Sequence, residues 1–296
     1  MRVSGIPAEF LLDSSGDRDA LCWLALTVWG RGFVNSIIDA SGTNNPTVWR
    51  SLPILNAPGP VQMAIDEWLL EQHRTAQHPP TLRFYTWSPA AISLGHHQRH
   101  YPDHWRSLQW QQHPIDIVRR PSGGRAVLHQ GDLTYAIITS GLEGDRTAAY
   151  QHLCEFLIAG WRSLGVVLNY GRAERGYHHQ TNCFGLATAA DLVTENGVKW
   201  IGSAQLRRGS AILQHGSMRL RGDRALAQQV FAEEPADAAY PKLPNALSQL
   251  PDEALHRVIS QALNQSAEQT FGVQLEERSL SMAEWQEIMH RAGLQT

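Results

Sequence analysis

Arg119-Arg-Pro-Ser-Gly-Gly-Arg-Ala-Val-Leu-His129 runs on through Gln130-Gly-Asp-Leu-Thr-Tyr-Ala-Ile-Ile-Thr-Ser140, and the organisation of the chain hangs on how this stretch is read. Ala126–Leu128 and Leu133–Thr139 are β-forming runs on either side of Gln130-Gly131-Asp132, which predicts a hairpin. Ahead of it, Gly123 and Gly124 sit between a strand and the first hairpin arm, flanked by Arg119, Arg120 and Arg125. A glycine pair lets a backbone approach a ligand closely. The arginines suit forked hydrogen bonds to a phosphate or carboxylate, and exposed N–H groups would complete an anion cradle. A tight, solvated loop is the competing reading of the same residues. The segment is not a GxxxxGK[ST] loop, no GxGxxG opens a helix, and Ser122 is not in a GxSxG elbow, so three common nucleotide and hydrolase routes are disfavoured.

Upstream, Gly59-Pro60 opens a helix whose Val61, Ala64, Ile65, Trp68 and Leu69 recur at helical spacing. Leu82–Trp87 and Ala91–Gly95 read as strands separated by Ser88-Pro89, and Ile115–Val118 as another. Downstream, a helix is expected over Arg146–Leu164. Leu192–Glu195 and Val198–Ile201 flank Asn196-Gly197, a strong hairpin signal, and Ala211–Leu213 continues the strand pattern. From about Asp223 the chain looks mainly helical. With no internal repeat, an α+β domain with a largely antiparallel sheet and packed helices is the simplest architecture. Residues 1–47 lack periodicity and end among turn residues; they are read as an N-terminal extension, disordered or from a misassigned start, ahead of a single domain over 48–296.

The 296 residues are 43% hydrophobic and 18% charged, with 25 Lys and Arg against 28 Asp and Glu, a formal net charge of −3. So even a balance supplies no long-range field for nucleic acid or anionic membranes, and neither is expected as a partner. The most apolar N-terminal run, Ala20–Trp29, is half of the ~20 residues a membrane span needs. Three cysteines without a close pair argue against a disulfide framework or a cysteine-rich zinc site, so a reducing cytoplasm is expected.

Cys154 falls on the apolar face of a helix and reads as core, Cys22 lies in the extension, and Cys183 stands in the polar segment His178-His-Gln-Thr-Asn-Cys-Phe184. Cys183 is therefore the candidate nucleophile, with a buried, inert thiol as the alternative. His178, His179, Cys183 and His215 lack the paired spacing of zinc ligands, and no metal is expected. Lysine occurs only at 199 and 242. Lys199, on a β-rich stretch before Ile201-Gly-Ser-Ala-Gln205, is either a solvated strand residue or an ammonium that lowers a thiol pKa and holds an acyl oxygen.

Over about Val48–Leu220 these segments together resemble the lipoate–protein ligase and octanoyltransferase family, related to biotin–protein ligase catalytic domains. The matching motifs are Gln62-Met-Ala-Ile-Asp-Glu-Trp-Leu-Leu70, Ile92-Ser-Leu-Gly-His-His-Gln98, Arg119–His129 with Thr134-Tyr135, Lys199-Trp-Ile-Gly-Ser-Ala-Gln205 and Gln214-His-Gly-Ser217. Arg125 in GGRAVLH, and Cys183-Phe184 followed by Asp191-Leu-Val193, are more similar to LipM-type octanoyltransferases than to ATP-using ligases; Ala190 stands where the ligases have asparagine. Pro121, Gln130, Gly131 and Asp132 depart from common forms of the loop and are read as harmless. The resemblance implies a biotin/lipoyl protein ligase catalytic-domain fold of class II synthetase type. It further implies ping-pong acyl transfer in which Cys183 takes octanoate from octanoyl-acyl carrier protein and passes it to a lysine of a lipoyl domain, on glycine cleavage H protein or a 2-oxoacid dehydrogenase E2. No cofactor is implied for that reaction. Lys199 would hold the acyl oxygen. Gly123 and Gly124 would line the acyl tunnel, with Arg119 and His129 at its mouth and Ser122, Arg125, Gly202, Ser203 and Ala204 in the substrate site. The alternative is an ATP- and Mg2+-dependent lipoate–protein ligase acting through lipoyl-AMP.

Overall fold

The computed structural model describes residues 47–171, 191–231 and 241–294. Cys183, His178, His179, Phe184, Cys22 and the expected 1–47 extension apart from Thr47 therefore lie outside the described residues. The elements run β1 (Thr47–Ala57), α1 (Gly59–Arg74), β2 (Thr81–Trp87), β3 (Ala91–Leu94), a 3-10 turn at Asp103–Ser107, β4 (Gln109–Trp110), β5 (His113–Pro114), β6 (Asp116–Arg119), β7 (Val127–His129) and β8 (Asp132–Thr139). They continue with α2 (Arg146–Ser163), β9 (Leu168–Tyr170), β10 (Asp191–Thr194), β11 (Lys199–Arg208), β12 (Ala211–Arg219), α3 (Arg224–Val230), α4 (Asn245–Ser248), α5 (Asp252–Phe271), β13 (Val273–Glu277) and α6 (Met282–Arg291).

Eight strands form one sheet in the order β13-β1-β2-β8-β12-β11-β10-β9, parallel only where β1 meets β13 and β2. A small sheet, β6-β3-β7, stands beside it, and β4 pairs with β5. This is the expected α+β fold with a mixed, mostly antiparallel sheet. β8 is buried along its full length, and the period of two divides its side chains between two cores. Leu133, Tyr135 and Ile137 pack with α2 and α5 through Phe156, Leu157, Ile259 and Leu263, whereas Ala136 and Ile138 pack with α1 and α6 through Ile65, Leu69 and Ile288. Ile92, Leu94 and Trp105 form a third cluster with Leu226 and Val230 of α3. Asp145 and Asp223 cap α2 and α3 by accepting N–H bonds from Ala148 and Leu226.

One expectation is corrected. β7 and β8 are not a hairpin: β7 pairs with β3 in the small sheet, and β8 lies between β2 and β12 in the large one. The turn chemistry at 130–131 is real, but it carries the chain from one sheet to the other. Gly131 permits this corner with φ 67°, and a Cβ there would sit 1.3 Å from the Arg221 carbonyl oxygen. A strand with both faces buried needs long partners on each side, and the three residues of β7 cannot provide one. The C-terminal tail adds one strand to its helices. β13 follows α5 after the left-handed Gly272 (φ 62°) and pairs in parallel with β1.

Candidate active site

The glycine–arginine loop, β8 and the β11–β12 pair converge on a largely apolar cavity of about 300 Å3, at the small end of ligand pockets. Gly123, Gly124, His129, Gly202, Ser203 and Ala204 reach its wall, together with Met63, Trp87, Val127 and Tyr150. Arg120 holds the loop in shape: its guanidinium donates to the carbonyls of Ser93 (2.8 Å), Gly123 (2.9 Å) and Arg125 (2.6 Å). Gly124 needs its missing side chain, since φ is 94° and a Cβ would lie 2.7 Å from Arg120 Nη2.

Two Asp–His–Ser chains back this wall. In the first, His129 Nδ1 meets Asp132 Oδ2 at 2.8 Å and Nε2 meets Ser93 Oγ at 2.8 Å; the ring stacks on Trp87 at 3.9 Å. Asp132 Oδ2 also accepts from Thr134 Oγ1 (3.1 Å) and Ser217 Oγ (2.6 Å), so three donors converge on that one oxygen. A carboxylate on Nδ1 places the ring proton there and leaves Nε2 as an acceptor for the Ser93 hydroxyl. Burial pushes the His129 pKa below the usual value, with Asp132 opposing, so the imidazole is neutral at physiological pH. In the second chain, His215 Nδ1 meets Asp66 Oδ2 at 2.9 Å and Nε2 meets Ser122 Oγ at 2.5 Å. Asp66, fully buried on α1, also accepts from Arg83 Nη1 and Tyr85 Oη, both at 3.0 Å.

Lys199 is buried, not a solvated strand lysine, and its Nζ lies 2.9 Å from Asp191 Oδ1. The register slips between Leu192 and Val193, so that Val193 faces Lys199 while Leu192 faces Ile201. Asp191 reaches the cavity wall, whereas Lys199 is not among its lining residues. Of the described loop residues, Ser122, Arg119 and Arg125 stay out of the wall. Ser122 is buried behind it on His215. Arg119 clamps the 95–98 turn, donating from Nη1 to the carbonyls of Gly95 (2.8 Å) and Gln98 (2.7 Å), and lines an adjoining outer groove. Arg125 offers its carbonyl to Arg120. Among the described residues no group of His, Cys, Asp and Glu is arranged to hold a metal, and His215, weighed as a zinc ligand, is taken up by Asp66 and Ser122. No helix of the described residues is long and apolar enough to cross a membrane.

Cys154, the described thiol, is no nucleophile. It is buried, its pKa is pushed up to about 12 by that burial, and it accepts a 3.4 Å hydrogen bond from Gln214. Sequence reasoning missed Asp66, Asp132, Asp191 and Ser93, and it wrongly passed over Asp132 as a harmless departure. One signal was available for Asp66: with Gln62 it forms a polar pair four residues apart inside an otherwise apolar helical stripe.

The model of the lipoyl protein ligase A/B catalytic domain matches residues 58–271. An octanoyltransferase LipM of Lysinibacillus sphaericus is 36% identical over 224 residues, covering 70% of this chain and 80% of that protein. Another, of Moorella thermoacetica, is 37% identical over 184 residues, covering 59% and 67%. Among solved structures, a lipoate protein ligase from T. acidophilum with bound lipoic acid superposes with a TM-score of 0.63 at 20% identity, covering 81% of this chain and 93% of that one. The loop, the lysine strand and the HGS strand that build the cavity all fall within the matched span, and the chain belongs to the lipoyl protein ligase A/B catalytic domain family.

Proposed function

We propose that residues 48–296 catalyse transfer of an octanoyl group from octanoyl-acyl carrier protein to a lysine of a lipoyl domain, on glycine cleavage H protein or a 2-oxoacid dehydrogenase E2, through a thioester on Cys183. The observation that carries the reading is a neutral, carboxylate-oriented imidazole in the wall of a small, mainly apolar cavity. Such a cavity suits a hydrocarbon chain, and such an imidazole suits removal of a proton from an attacking amine. The octanoyltransferase names of the relatives agree with it.

The Cys183 thiolate attacks the thioester carbonyl, the donor thiol departs, and the acyl group rests on sulfur. The lysine nitrogen then attacks the same carbon, its proton passes to His129 Nε2, and the Cys183 thiolate leaves as the amide forms. Thioester and thiolate are close enough in energy that neither step needs ATP. Lys199, fixed by Asp191, is the cation assigned to the developing oxyanion, a role worth ~3–4 kcal/mol where single donors have been removed elsewhere. His129, Trp87 and Asp132 also border a second groove of about 750 Å3 that contains Asp252 and Glu277, a surface suited to an incoming ammonium.

Intact-mass measurement after exposure to octanoyl thioester tests the reading. One octanoyl adduct on the wild type, absent from Cys183→Ser, is expected; an unmodified wild type that nevertheless acylates lipoyl domains would overturn the cysteine route.

A further inference from the structure

On the outer side of the glycine pair lies a groove of about 720 Å3 that shares Arg120, Gly123, Arg146 and Gln205 with the acyl cavity. Gly123 is the threshold between the two, for a Cβ there would meet nothing within 4 Å. The groove is strongly basic in a chain of net charge −3. Arg119, Arg146, Arg207 and Arg208 line it, with His96 and His97, against the single acid Glu67 among its described residues. Among the described residues, none of these four arginines is in an ion pair with a carboxylate. Arg119 commits Nη1 to backbone carbonyls, and Arg207 donates from Nε to Gln205 Oε1 at 3.2 Å. Among the described residues, Arg207 Nη2 is buried without a hydrogen-bond partner. Converging guanidinium groups at the mouth of an acyl cavity are a recognition device for an oxyanion with several equivalent oxygens, which arginine binds by forked hydrogen bonds better than any other side chain.

We propose that this groove, through Arg146, Arg207 and Arg208, binds the phosphate of the acyl donor's pantetheine arm while the acyl chain enters past Gly123. The inference rests on the thioester-donor reading above. It explains why an anion site and a hydrocarbon site are joined end to end: the donor is a phosphate and an apolar chain on one flexible tether.

Transfer kinetics compare octanoyl-4′-phosphopantetheine with octanoyl-pantetheine, which differ only in the phosphate. The wild type is expected to favour the phosphorylated donor by roughly tenfold or more in kcat/KM, carried by KM. Arg207→Gln and Arg208→Gln should each erode that ratio, whereas Arg162→Gln, which removes an exposed charge elsewhere, should not. Inorganic phosphate should inhibit use of the phosphorylated donor competitively, and this reading needs no variant to fold. Equal use of the two donors, or a preference untouched in both arginine variants, would overturn the assignment. So would use of free octanoate with ATP alone, with the same variants raising KM for ATP, since the groove would then hold a nucleotide phosphate. Octanoyl-pantetheine has no phosphate, so its use reports on thioester chemistry by itself and separates failure of this inference from failure of the proposed reaction.

Discussion

His129, the proposed base, shows how three short contacts can set up an ordinary histidine for that role. Asp132 fixes its tautomer, Ser93 donates to the Nε2 lone pair, and burial keeps it neutral. A base works only when unprotonated, and burial shifts this pKa downward, so kcat/KM should rise with pH through a value below the usual 6.5 and be level above it. His129→Gln should lower kcat by about 10²–10⁴-fold and erase that acidic limb, as a pH–rate profile would show. Ser122 has the bonding of a triad serine but lies behind the wall. Ser122→Ala should therefore keep the octanoyl adduct while costing ~1–3 kcal/mol of stability, because His215 Nε2 loses its partner. Loss of the adduct in this variant, with the protein still folded, would instead make Ser122 the nucleophile. The loop glycines and His129 were visible in the sequence as a motif. The carboxylates behind them were not, since a buried Asp is spelled like a solvated one and Asp66 finds His215 across 149 residues.

Corners and edges carry the next layer of consequences. Gly131→Ala would combine a positive φ with a Cβ 1.3 Å from a carbonyl oxygen, and should cost at least about 2 kcal/mol, read as a lowered melting temperature. At the sheet edge, Arg50 of β1 grips Glu284 in the capping box of α6. Burial alone would raise the Glu284 pKa, but the hydrogen bonds from Arg50 and Ser281 prevail and hold it at about 2, below the ordinary 4.5. A depressed carboxyl pKa stabilises the folded state above the unfolded value and ceases to do so as pH falls through the folded one. The gap in melting temperature between wild type and Glu284→Gln should thus be largest above pH 4.5 and close toward pH 2. Periodicity correctly announced α1, α2 and the β10–β11 hairpin, because each closes on near neighbours. It misassigned the partner of β8 and missed β13, because strand pairing between distant segments leaves no local mark.

Taken whole, the molecule keeps a near-neutral total charge while separating a basic groove from a second groove that contains Asp132, Asp252 and Glu277, with the proposed acyl cavity adjoining both. The balanced composition could not reveal that Arg119, Arg146, Arg207 and Arg208 meet at one mouth. That geometry is a product of the fold, in which β11 runs beside the glycine loop. Incubation with octanoyl-acyl carrier protein and an apo lipoyl domain, with every nucleotide removed, puts the whole scheme to trial. Octanoylated lipoyl domain should form, and Cys183→Ser should abolish it; product that appears only when ATP and Mg2+ are supplied would contradict the thioester route.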